Sequence, residues 1–240
     1  MDDGLASDCG TKESDRGLPH RGASAGEVET MKAACGDAPR LKSGLILAGG
    51  TSSRFRGTKA LALLRGRPLV RWVGDALKPF CGELIVSIGV KDEAGRFREA
   101  LPEALLIQDQ RGDRGPIEGL HRGCAAARGD VVLVAPSDAP LLRPALYEGL
   151  LSILRDHDAA APRIDVLDPV RAVYRRQAVL RILKEEGNRI RSPSGLVDRL
   201  DTALLQGAAL IHADPTLASF IDVNRRSDLE KALRAAEALP

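Results

Sequence analysis

The chain has 240 residues, 35 Lys and Arg against 33 Asp and Glu, a formal net charge of +2, 44% hydrophobic residues and 3% aromatic ones. That balance can fill one substantial core, but it lacks the basic excess and the stacking rings of a general nucleic-acid binder. The four cysteines, Cys9, Cys35, Cys81 and Cys124, form no CxxC pair, and no signal peptide or bilayer-length apolar run is evident, so a cytoplasmic protein with no nucleic-acid or membrane partner is expected.

Residues 1–40 are rich in Gly, Ser, Asp, Glu, Lys and Arg without an apolar period, and are expected to be a disordered extension; residues 41–240 are expected to form a single domain. From Ser43 onward, short apolar runs alternate with helix-like stretches, the pattern of a mostly parallel sheet covered on both faces. Strands are expected at 44–48, 83–88, 104–107 and 130–135, with helices at 69–80, 93–100, 117–128 and 144–156. The unbroken apolar character of "DVVLVA" (130–135) suits a central strand buried on both faces. Farther on, strands are expected at 159–161 and 170–174, helices at 177–186 and 193–206, and another strand at 208–212. Ser192 before Pro193 is a helix start, and Ser227 with Glu230 forms a capping box opening a last helix to residue 239.

In an open α/β sheet, ligands sit outside the carboxyl ends of the strands, so the loops there carry the chemistry. In "LAGGTSSRFRGTK", Gly49 and Gly50 let backbone NH groups approach an anion, and Ser52, Ser53, Arg54 and Lys59 add donors. The spacing is neither GxxxxGK[ST] nor GxGxxG, which disfavours a P-loop NTPase and a Rossmann oxidoreductase. In "IQDQRGDRGPIEGLHRG", Gly115 and Pro116 set a turn into a helix whose N-terminus favours an anion. In "APSDAPLL", Asp138 is held between prolines at the end of the most apolar strand. From Arg163 to Arg191, eight Lys and Arg face four Asp and Glu, an excess on which a phosphorylated acceptor could dock, although a solvated helix face is the commoner explanation. The histidines, His20, His121, His157 and His212, share no metal-ligand spacing and pair with no nucleophile.

The stretch LAGG-x-S-x-R-F-x-G-x-K resembles the signature of the nucleotidyltransferases typified by molybdenum cofactor guanylyltransferase, the MobA-like proteins, within the wider group of sugar-nucleotide pyrophosphorylases. The resemblance implies a three-layer α/β/α, Rossmann-like fold with a mostly parallel mixed sheet, and a Mg²⁺-dependent transfer of GMP from GTP to the phosphate of molybdopterin cofactor. It assigns nucleotide binding to Leu47, Ala48, Gly49, Gly50, Arg54, Lys59, Asp109 and Asp138, with Arg54, Lys59 and Asp138 catalytic and Asp138 on the metal. The segment from Phe220 is similar to the family's F-x-N-[IV]-N motif, with Asp222 at the first asparagine and Asn224 at the second; Asp222 is a candidate second metal ligand. "DPVRAVY" is similar to the family's HP-x-x-A-[LV]-Y strand, and makes Arg171 and Tyr174, with Asn224, candidates for binding the acceptor. Arg56 stands where many members have glycine, Thr58 where an acidic residue often precedes the lysine, Glu118 where a small residue is common, and Gly89 near an expected asparagine. Alternatives are a CTP-dependent molybdopterin cytidylyltransferase, a guanylyltransferase acting on cobinamide phosphate, and, if those departures mark a decayed site, a non-catalytic nucleotide-binding regulatory protein. Other molybdenum cofactor biosynthesis proteins are the implied partners.

Overall fold

The strand carrying the glycine-rich loop, β1 (Lys42–Leu47), lies inside a seven-stranded sheet, with Leu45 and Ile46 wholly buried on opposite faces. The computed structural model describes residues 41–49, 58–90, 92–110 and 115–237. The expectations for residues 1–40, and for Gly50, Ser52, Ser53, Arg54 and Arg56, therefore lie outside the described residues. After β1 come a short hairpin, β2 (Leu63–Leu64) and β3 (Arg67–Pro68), then α1 (Leu69–Leu77), β4 (Glu83–Ile88), α2 (Ala94–Ala100), β5 (Leu105–Gln108), α3 (Pro116–Ala126) and β6 (Val131–Pro136). The second half adds α4 (Pro144–Leu154), β7 (Ala159–Arg163), β8 (Ala172–Arg175), α5 (Arg176–Glu186), α6 (Pro193–Val197), β9 (Thr202–Gln206), α7 (Gly207–Ala213) and α8 (Arg226–Glu237).

The strand order is β5-β4-β1-β6-β8-β7-β9. Pairing is parallel throughout except on both sides of β8, which runs antiparallel to β6 and β7. The chain leaves β1 toward β4 and β5, then returns to β6 on the other side of β1. Connections diverge at the carboxyl ends of β1 and β6, which opens a crevice there. One face is covered by α1, α2, α4 and α7, packed on Ile46, Val86, Leu133 and Val173. The other is covered by α3, α5 and α6, packed on Leu45, Ile85, Val134 and Tyr174. Burial on both faces explains the near-continuous apolar runs of these strands. A smaller cluster of Leu64, Leu69, Leu141, Val223 and Ala232 ties α8 and the segment before it to the β6–α4 loop.

The first half follows the expected elements within two residues, except that the helix expected at 69–80 is α-helical only to Leu77 and ends as a 3-10 turn, Lys78–Phe80, and that the β2–β3 hairpin had no counterpart among the expectations; three expectations in the second half are corrected. The helix expected at 193–206 stops at Val197: Ser192 does cap it, its Oγ accepting from the Gly195 NH at 3.1 Å, but Thr202–Gln206 is β9, paired parallel with β7. The open edge of β7 claims a segment whose own pattern fits either state. The strand expected at 208–212 is the helix α7, opened by Gly207 at φ +57° and packed through Leu210 and Ala213. Short apolar runs do not separate strand from helix, and alanine favours the latter. At the last helix, the carboxylate that closes the N-terminus is that of Asp228, accepting from the NH groups of Asn224 and Arg225, and not that of Glu230.

Candidate functional site

The crevice is built from the carboxyl ends of β1, β4, β5 and β6. Beyond β1, Ala48 and Gly49 continue the parallel ladder, both NH groups donating to the Ser87 carbonyl of β4 at 2.8 and 3.0 Å. Gly49 is required by space. A Cβ there would lie 2.7 Å from Asp109 Oδ2 and 3.2 Å from the Gly89 nitrogen, closer than side chains tolerate. The helix α3 comes near because Gly119 and Gly123 face the sheet: a Cβ on Gly119 would meet Ser87 Oγ at 2.7 Å, and one on Gly123 would overlap Leu45. Its first turn begins at Gly115, at φ +59°, followed by Pro116, which needs no NH partner.

At the β6 end of the crevice, Asp138 follows the strand and is mostly buried. The chain returns to a turn at Lys59–Leu61, where buried Ala60 and Leu61 anchor the backbone and leave Lys59 facing Asp138. Lys59 Nζ donates to Asp138 Oδ2 at 2.5 Å and to Asn224 Oδ1 at 3.0 Å. The Val223 NH donates to the Asp138 carbonyl at 2.8 Å, and the Val223 side chain is wholly buried. Three segments far apart in sequence thus meet around one ammonium group.

Arg171 and Tyr174, expected at the acceptor, are placed otherwise. Tyr174 is 0% exposed among the residues of the second core face, and its hydroxyl donates to the Pro169 carbonyl at 2.5 Å, so it cannot reach a ligand. Arg171 is 4% exposed. Its guanidinium donates to the Ser219 carbonyl at 2.8 Å, to Asp168 at 2.5 Å and to Asp222, and it lies over the Phe220 ring at 5.4 Å. Each of its three nitrogens already donates to a protein acceptor, and Arg171 is a tie between β8 and the segment 219–222. Burial opposes its charge, but Asp168 and Asp222 more than offset that and hold it above its usual value. Asp222 is pushed up to about 6, by burial first, opposed by Arg171 and reinforced by the nearby Asp138.

At the β4–β5 end, Asp109 receives Ser87 Oγ at 2.9 Å, and its own NH donates to the Ile88 carbonyl. Burial raises its pKa, with Glu118 and Asp92 adding to the effect and Ser87 and Arg122 opposing it. Asp92, which no sequence motif marks, accepts from the Gly89 NH at 2.7 Å and from the Thr58 hydroxyl, and burial raises its pKa as well. Glu118, in the first turn of α3, is 6% exposed. The signal that could have found Asp92 is the pair of departures it connects, Thr58 and Gly89.

The family model described as the MobA-like NTP transferase domain matches residues 44–202. The molybdenum cofactor guanylyltransferase of Desulfosudis oleivorans is 29% identical over 201 residues, covering 82% of this chain and 96% of that protein. That of Pseudomonas entomophila is 38% identical over 119 residues, covering 49% of this chain and 60% of that protein. Among solved structures, molybdopterin-guanine dinucleotide biosynthesis protein A from Archaeoglobus fulgidus superposes with a TM-score of 0.66 at 25% identity, covering 82% of this chain and 100% of that one.

Proposed function

Because the chain belongs to the MobA-like NTP transferase family, and is a nucleotidyltransferase on that ground, we propose that it transfers GMP from GTP to the phosphate of molybdopterin cofactor. An oxygen of the acceptor phosphate attacks the α-phosphorus, the bond to the β-phosphate oxygen breaks, and pyrophosphate leaves. Such a transfer needs positioning and charge neutralisation more than a protein nucleophile.

The observation that carries the reading is the Lys59 ammonium shared by Asp138 and Asn224 at the β6 end of the crevice. Lys59, with Arg54, neutralises charge that builds on the departing pyrophosphate. Leu47, Ala48, Gly49 and Gly50 are assigned to nucleotide binding, with Asp109 at its base or ribose end. Asn224 faces the acceptor. The donors around Asp138 are all oxygen and already attract a cation, which suits a hard divalent ion. Among the described residues no group of three or more His, Cys, Asp or Glu is arranged to hold a metal. Asp138 and Asp222 would therefore hold Mg²⁺ as two carboxylates, leaving the rest of its shell to water and phosphates. Bound there, Mg²⁺ supplies charge neutralisation to the substrate phosphates. No helix among the described residues is long and apolar enough to cross a membrane, and a cytoplasmic setting is part of the same proposal.

The test is to incubate the protein with each NTP, Mg²⁺ and molybdopterin and to follow pyrophosphate. Acceptor-dependent release with GTP is the expected result. Release with CTP alone reassigns the base, release only with cobinamide phosphate as acceptor reassigns the acceptor, and no release with any combination overturns the reading.

A further inference from the structure

Residues 214–224 follow α7 and bring Asn224 to Lys59 at the β6 end of the crevice. The fold fixes this segment at several points. Asp214, wholly buried, accepts from the Ala218 and Ser219 NH groups at 3.1 and 2.8 Å and so closes the short turn Ala218–Phe220. Leu217 before it has a left-handed backbone, φ +52°, which costs a leucine energy and persists where the surroundings over-determine it. The buried Ser219 hydroxyl accepts from the Arg143 NH of the β6–α4 loop at 3.0 Å, and the Val223 NH donates to the Asp138 carbonyl at 2.8 Å.

Arg171 ties the same segment to the sheet. It stands at the entry of β8, the strand beside β6. Its Nε donates to the Ser219 carbonyl at 2.8 Å and Nη2 to Asp222 Oδ1, while Nη1 is held by Asp168 Oδ2 at 2.5 Å. Asp168 is itself fixed, its Oδ1 accepting from the Val170 and Arg171 NH groups at 3.0 and 3.2 Å. One planar fork therefore spans Ser219 to Asp222, and the next two residues are those that reach Asp138 and Lys59. A lysine, a single point charge, cannot fix both ends of that span. The guanidinium is buried, so its charge depends on Asp168 and Asp222 as much as they are held by it.

We propose that Arg171 is a positioning residue for the transfer reaction, which acts through Asp222 and Asn224 by setting the segment that carries them against the Lys59–Asp138 pair. This rests on the reading of the site as a nucleotidyltransferase centre. The motif HP-x-x-A-[LV]-Y leaves the place of Arg171 open, and Asp222 stands where F-x-N-[IV]-N has a neutral asparagine. A carboxylate at that place calls for a cation beside it, and the entry of β8 supplies one. The two replacements thus form one device of this chain.

The experiment compares the full chain with Arg171→Met and Arg171→Lys, well below their melting temperatures, by pyrophosphate release and by the NMR signals of the Asn224 side-chain amide. Arg171→Met removes charge and fork, and kcat should fall by roughly 100-fold, the scale of a misplacement of about 1 Å. Arg171→Lys keeps the charge and loses the fork; its melting temperature should fall less than that of Arg171→Met, and kcat should still fall by about 10-fold while KM for GTP stays within about twofold. The Asn224 amide signals of Arg171→Lys should move in the direction that Lys59→Met moves them, because both changes break the Lys59 contact. A folded Arg171→Lys with wild-type kcat and unmoved Asn224 signals makes Arg171 a tie of the fold alone and overturns the proposal, as does a parallel loss of kcat and GTP affinity by the same factor. Where Arg171→Met does not fold, Arg171→Lys decides. If the wild type releases no pyrophosphate with any nucleotide, the reading of the reaction fails, and the Asn224 signals by themselves uphold or overturn the positioning by Arg171.

Discussion

Glu83 and Asp92 stand at the two ends of one strand and have opposite fates. Glu83 opens β4 at the edge of the sheet away from the crevice, and receives Ser43 Oγ at 2.6 Å, the Arg128 NH at 2.7 Å and Arg128 Nε at 2.9 Å. Burial acts first to raise its pKa, but these donors and the Arg128 charge overcome it and hold the carboxyl below its usual value. Asp92 and its neighbour Asp109, beyond the carboxyl ends of β4 and β5, receive fewer donors from the described residues, and burial holds both above theirs. A carboxylate saturated by the fold serves the fold.

That contrast can be broken by experiment. The largest effect is expected at Asp138, where Asp138→Ala should lower turnover by about 10³-fold by removing the charge that positions Lys59 and that would hold the proposed metal; an active variant would take away the core of the mechanism. Gly49→Ala should follow, weakening nucleotide binding by roughly tenfold or more, since its Cβ must displace Asp109 or the β4 backbone; calorimetric titration with GTP measures it. Asp109→Asn should weaken GTP similarly yet leave the melting temperature unchanged or raised, because a neutral isostere relieves a charge that burial opposes. A clear loss of stability there would erase the contrast with Glu83.

Glu83→Gln should do the reverse, costing about 1–3 kcal/mol of stability, with pyrophosphate release unchanged. The pH dependence carries the same sign test. The folded Glu83 carboxyl sits below its ordinary 4.5, so the unfolded chain binds the extra proton; its stabilisation is complete above that value and is lost as pH falls through it. Asp92 and Asp109 sit above their ordinary 3.8, so the folded chain holds the proton longer and their contribution declines as pH rises from there. Melting curves in acid should therefore flatten in Glu83→Gln and steepen in Asp109→Asn. This is the smallest of the effects.

Local pattern determined much of this protein. The apolar runs of β1, β4 and β6 and the loops "LAGG" and "PSD" are legible because a strand buried on both faces, a glycine turn and a proline-flanked aspartate are each specified by a few adjacent residues. The two ambiguous segments, β9 and α7, were settled by the vacant edge of β7 and the surface of α4, which no local window contains. The same holds for the site. That Lys59 meets Asp138 and Asn224, that Tyr174 turns into the core, that Arg171 is spent on Asp168 and Asp222, and that Asp92 accepts from both Thr58 and Gly89 depend on groups brought together by the fold. Donors, burial and opposing charges decide whether a carboxylate is structural or functional, and only the folded chain distributes them.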